Sequence, residues 1–192
     1  MANLDPRGVI IEHLAQPSAG QPPARRPPPR PGDLPMRPVA SFAVSGNPFT
    51  ADRTTIQFVK ERGIPDRRLY AVTFDDEQHE SWFWLVAAER DRTDNWIAVD
   101  VAGGSGQDPQ RSKPWLNLCG SWGQGRLYAG GEIHTAGANV GEVRLTLADG
   151  TQLTDDAQAD VALFLSDQVA AEPATVDIYD TNGHLLATHT AF

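Results

Sequence analysis

The chain has a single cysteine, Cys119, so it forms neither an internal disulfide nor a multi-cysteine metal site. No apolar run approaches the ~18 residues that a membrane-spanning helix needs. The opening residues, MANLDPRGVIIEHLAQ, lack the basic n-region and apolar h-region of a secretory signal. These absences predict a soluble cytoplasmic protein. Positive charge is also scarce: Lys and Arg number 16 against 25 Asp and Glu, a formal net charge of −9. An acidic body repels phosphate groups, so neither nucleic acid nor an anionic membrane is an expected partner.

Proline, by contrast, is abundant and unevenly placed. Ten of the 15 prolines fall within residues 1–38. That stretch carries five arginines against three carboxylates, a net of +2, which leaves −11 for residues 39–192. The chain therefore divides into a proline-rich arm, 1–38, and a body, 39–192, of a size for one β-sandwich domain. Residues 16–38, QPSAGQPPARRPPPRPGDLPMRP, read as a largely disordered, extended spacer, because proline fixes φ and disfavours helix in the residue before it. The spacing P-x-x-P beside arginine resembles ligands of SH3-type domains, although a plain spacer has the same composition.

Ahead of the spacer, residues 3–15 form an apolar island. Asp5 is placed to cap a helix with Pro6 at its first position. Val9, Ile10 and Leu14 then share one face and constitute a candidate motif for a protein partner, for a second subunit, or for the body itself. An isolated helix of this length is marginal.

The body begins with TADRTTIQFVKERGIP. Thr50 as a cap, apolar residues at Ile56 and Val59, and the stop signal Gly63-Ile64-Pro65 predict a short helix near residues 51–62. A strand through TTIQFV is the competing reading. From Leu69 onward the signals are β. RLYAVTF and SWFWLVAA flank the polar turn DDEQHE and predict a hairpin. In SWFWLVAA, Trp82, Trp84 and Val86 share one face while Phe83, Leu85 and Ala87 share the other, so this strand is expected to be covered on both sides. NWIAVDVA, WLNLCGSW, RLYAGGEIH, GEVRLTL, ADVALFLSD and ATVDIYD follow, with hairpin signals at Asp149-Gly150 and Asn182-Gly183. Short strands at intervals of about 8–12 residues predict a sandwich or barrel.

VRLTLADGTQLTDDAQADVALFLSD followed by PATVDIYDTNGHLLATH, spanning about residues 141–190, resembles the closing strands of immunoglobulin-like and carboxypeptidase-regulatory-like sandwiches. It is also similar to proteins without an assigned role in high-GC Gram-positive bacteria (actinobacteria). The resemblance implies an Ig-like antiparallel β-sandwich and a binding or scaffolding role; its D-x-x-G-x-L hairpin carries no catalytic residues.

Motifs of chemistry are scarce. CGSW at 119–122 matches the C-G-S-C-W signature of papain-like proteases except at the nucleophile itself, where Trp122 stands. GSWGQG orders its glycines in the reverse of a dinucleotide fingerprint, and GGSG at 103–106 lacks the Lys-Ser/Thr ending of a P-loop. DTNG at 180–183 starts like a calcium loop but has no downstream bidentate glutamate. His184 and His189 are five apart and fall on opposite faces of a strand. No catalytic, cofactor or metal site is predicted.

The glycine- and tryptophan-rich stretch 114–134 allows two readings. Its glycines bend strands and admit close backbone approach beside the rings. Alternatively, Trp115, Trp122 and Tyr128 wall a surface for a carbohydrate or another small molecule. The sequence therefore predicts an all-β, Ig-like antiparallel sandwich with one short helix and a disordered arm. Its expected role is a non-enzymatic binding or assembly module in which the arm contacts a partner or subunit; a small-molecule binding domain is the alternative.

Overall fold

The computed structural model describes residues 5–16, 50–104, 112–123, 125–169 and 171–191. Of the spacer expected at 16–38, residues 17–38 lie outside the described residues.

The first element is a helix, α1 (Pro6–Leu14), capped as its residues dictate. The Asp5 side chain accepts the Gly8 amide at 2.7 Å, and Pro6 occupies the first helical position, where its missing N–H costs nothing. Ile10 and Leu14, one turn apart, are both fully buried.

Residues 51–62 do not form the expected helix. Asp52 instead closes a tight turn, its carboxylate accepting the amide and hydroxyl of Thr54 at 2.9 and 2.7 Å. The chain then enters β1 (Gln57–Ile64), where Gly63 and Ile64 are its last paired residues rather than a helix stop, and Pro65-Asp66 is the hairpin turn into β2 (Arg67–Asp75). Phe58 and Val59 favour a pleated surface, and the β2 ladder supplies the hydrogen bonds that helical propensity alone does not outweigh. A bulge between Phe58 and Lys60 shifts the pairing register. It turns Phe58 toward α1, while Val59 joins the cluster on the opposite face.

β3 (Ser81–Arg90) and β4 (Trp96–Gly104) complete an antiparallel sheet of order β1-β2-β3-β4. A second sheet is built on β7 (Gly125–His134). β10 (Val161–Val169) pairs with one edge of β7, and β5 (Trp115–Leu116) with β6 (Cys119–Gly123) shares the other. β5 and β6 are parted where Asn117 steps out of register. A Cβ on Gly131 would lie 2.0 Å from the Asn117 carbonyl oxygen, so only glycine fits beneath that step. The third sheet has the order β12-β11-β8-β9, with β8 (Val140–Leu147), β9 (Gln152–Asp156), β11 (Pro173–Asp180) and β12 (Leu185–Thr190). Its hairpins turn at Gly150 and Gly183, whose φ values of 86° and 84° explain the Asp-Gly and Asn-Gly pairs.

Among the described residues the sandwich has three stacked sheets, where an immunoglobulin-like arrangement has two. α1 covers the outer face of the first sheet, packing on Tyr70, Val72, Phe74, Trp84, Val86 and Ala88. The inner face, with Leu69, Ala71, Phe83, Leu85 and Ala87, meets Cys119, Tyr128, Val161, Leu163 and Leu165 of the second sheet. The far face of that sheet, with Leu127, Ala129, Ala162 and Phe164, meets Val143, Leu145, Val176 and Ile178 of the third. β3 is covered on both sides with the face assignment its alternation predicts. No described helix is long and apolar enough to cross a membrane.

Polar side chains tie the layers where their edges meet. Lys60 on β1, only 8% exposed, reaches Asp155 at 2.7 Å and Asp156 at 2.5 Å on β9, and donates to the Val161 carbonyl at 2.9 Å. Arg62, two residues on and on the same face, donates to Asp155 at 3.0 Å. Asp155 also accepts the Leu163 amide at 2.7 Å. One carboxylate thereby joins strands of all three sheets.

Candidate functional site

Two regions bring several of the sequence-derived candidate residues together, and Trp115 lines a separate cleft with Lys113 and His189. One is the groove that α1 fills. Ile10 and Leu14 insert into the outer face of the first sheet, and Val9 packs beside them half-buried. Polar contacts frame this apolar seat. Arg7 pairs with Glu61 at 3.0 Å and lies over the Phe58 ring at 5.1 Å; Glu12 pairs with Arg53; His13 Nε2 donates to Asp100 at 2.9 Å. The Leu14 carbonyl accepts the Ala51 amide at 2.9 Å, so the helix ends against the residue that opens the body. The candidate partner motif is therefore docked on its own chain.

The hydrogen bond to Asp100 holds the His13 imidazole above its ordinary pKa, against the opposing effect of partial burial. A group raised on folding stabilises the folded form below its unfolded pKa and loses that contribution as pH climbs through the folded value. α1 is accordingly expected to dock more firmly at pH 6 than at pH 8, a window set by the ordinary imidazole value of about 6.5. Amide exchange of residues 8–14 across that range reads the difference. A profile as steep in His13→Gln as in the parent chain would assign the effect to another group.

The second region is a cleft of about 310 Å³ where the edges of the first two sheets meet, between β4 and β6. Glu89, Val99, Ser121, Trp122, Arg126 and Tyr128 are among its walls. Tyr128 is 5% exposed and donates its hydroxyl to Glu89; Arg126 donates to the same carboxylate at 3.2 Å. Burial, reinforced by that hydrogen bond to Glu89, pushes the Tyr128 phenol well above its ordinary pKa, so it stays a donor. Trp122 is 40% exposed.

Comparison with known protein families, with curated proteins and with solved structures returns no match. The functional argument rests on the chemistry of these two regions.

The expected single surface of Trp115, Trp122 and Tyr128 is divided. Trp122 and Tyr128 line the β4–β6 cleft, whereas Trp115 pairs with His134 at the other end of β7. Seven residue steps of extended strand, from Leu127 to His134, hold the two tryptophans about 23 Å apart along β7. There Trp115 stacks on His189 with ring centroids 3.6 Å apart and 23° between planes. His189 accepts the Leu116 amide on Nε2 at 3.3 Å and donates from Nδ1 to the Thr190 carbonyl at 2.9 Å. That pair buttresses β12 against β5. Only cross-strand pairing shows the separation, since in sequence Trp115 and Trp122 are near neighbours.

The remaining candidates are structural. Cys119 is buried with its thiol directed at the Gly130 carbonyl, and burial pushes its pKa up to about 12, which keeps it protonated and unreactive at neutral pH. Asp180 spends its carboxylate on the amides of Asn182 and His184, both at 2.8 Å, so DTNG is a hairpin turn. Among the described residues no three His, Cys, Asp or Glu side chains gather as a metal site. Sequence reading missed Glu89, whose position directly after the apolar run of β3 gives no hint that it meets β7.

Proposed function

We propose that the protein is a non-enzymatic assembly module in which α1 is the exchanging element and a second copy of the chain is the partner. The observation that carries this reading is the full burial of Ile10 and Leu14 on a sheet reached only through the stretch 15–50.

That stretch is 36 residues long, contains ten prolines, and has its two ends in hydrogen-bond contact at Leu14 and Ala51. Bringing the ends of such a chain together costs about 3 kcal/mol beyond a constant, and stiff proline-rich composition raises the cost. Burying the two aliphatic side chains contributes about 3–6 kcal/mol. A nine-residue helix adds little by itself. The margin that holds α1 on its own body is therefore narrow, and docking on a second body relieves the closure. The single buried free thiol fits a cytoplasmic scaffolding domain.

Sedimentation of the full chain over a rising concentration series tests this reading. Reversible dimers are expected at high concentration and are expected to vanish in Leu14→Asp. A chain monomeric throughout, or a dimer indifferent to Leu14→Asp, overturns the exchange.

A further inference from the structure

The cleft between β4 and β6 shares only Asp100, the partner of His13, with the seat of α1, and its other walls are built as a binding site. Its polar groups are fixed before any ligand arrives: Glu89 is held from two directions by the Tyr128 hydroxyl and by Arg126. Ser121 stands exposed on the same edge. Val99 gives it an apolar wall, and Trp122, with 40% of its surface open, stands at its rim. Nearby, Arg67 is the cross-strand partner of Glu89 and has a buried Nη1 without a hydrogen-bond partner. A volume of about 310 Å³ is at the small end of ligand sites.

The charge pattern selects the class of ligand. Two carboxylates line the cleft, and each is already matched: Glu89 by Arg126 and Asp100 by His13, so the cleft offers directed donors and acceptors rather than a net charge. The net charge of −9 disfavours an anion. An aromatic ring beside oriented carboxylate, guanidinium and hydroxyl groups suits a molecule with one apolar C–H face and a rim of hydroxyls. We propose that this cleft binds a neutral pyranose sugar, as a monosaccharide or the end of a short oligosaccharide. The ring edge lies by Trp122, and the hydroxyls bond Glu89, Arg126 and Ser121.

The test is a titration of the isotope-labelled full chain with glucose, mannose, N-acetylglucosamine and cellobiose at millimolar concentration, followed by nitrogen–proton correlation spectra. At least one sugar is expected to shift the indole N–H of Trp122 and the amides of Ser121 and Gly123 saturably, while the Trp115 indole stays in place. Trp122→Ala, at an open position, is expected to weaken that sugar about tenfold or more, as loss of an aromatic anchor does. Glu89→Gln is expected to weaken it as well. No saturable shift with any of the four sugars overturns the proposal. So does a saturable shift whose affinity is unchanged in Trp122→Ala.

Discussion

Replacing Asp155 by alanine is expected to lower the free energy of unfolding by about 3–5 kcal/mol, the cost of stranding a buried charge. Asp155 is 11% exposed and answers three donors at once: Lys60 at 2.7 Å, Arg62 at 3.0 Å and the Leu163 amide at 2.7 Å. Lys60 is 8% exposed and keeps only one carboxylate, that of the exposed Asp156, when Asp155 is lost. The loss should appear as a lower urea midpoint at unchanged slope. The paired change Lys60→Met with Asp155→Leu is expected to recover most of it, because it removes both buried charges, while Arg62, 33% exposed, keeps the Thr154 and Leu163 carbonyls. A loss below about 1 kcal/mol in Asp155→Ala, the range of a surface ion pair, would mean that Asp156 and the Val161 carbonyl hold Lys60 unaided.

Phe164→Ala is expected to cost a similar amount, about 3–5 kcal/mol. The ring is fully buried on the face of β10 that meets the third sheet. Both faces of the middle sheet are covered, so the backbone of β10 cannot sink toward one neighbour without leaving the other, and the cavity stays open. Leu185→Ala supplies the contrast. Leu185 is 56% exposed on β12, and its loss is expected to change stability by no more than about 0.5 kcal/mol. Equal midpoints for the two variants would contradict the three-layer core.

What was legible in the sequence was local. The alternation Trp82, Trp84, Val86 against Phe83, Leu85, Ala87 placed β3 between two apolar layers, and both layers are there. Asp5-Pro6 marked the start of α1, and Asp149-Gly150 and Asn182-Gly183 marked two hairpins. The segment 51–62 was misread because Thr50, Ile56, Val59 and Gly63 satisfy helical spacing as well as they satisfy a strand, and pairing with β2 decided between them. The candidate surface was half legible. Trp122 and Tyr128 share a cleft, but Trp115 belongs to the far end of β7 and Glu89 arrives from another sheet.

The sequence by itself determined the strand-rich body, the position of the capped helix and the turns, because each depends on side chains within a few residues of one another. Only the tertiary structure decided that β10 leaves its neighbours β9 and β11 to pair with β7, and that the sheets among the described residues number three. It also decided that Lys60 meets Asp155 and that Ile10 and Leu14 turn back onto their own chain. Strand pairing is made by backbone N–H and C=O groups that nearly every residue carries alike, so its choice of partner is set by how whole apolar faces fit together once the chain has collapsed.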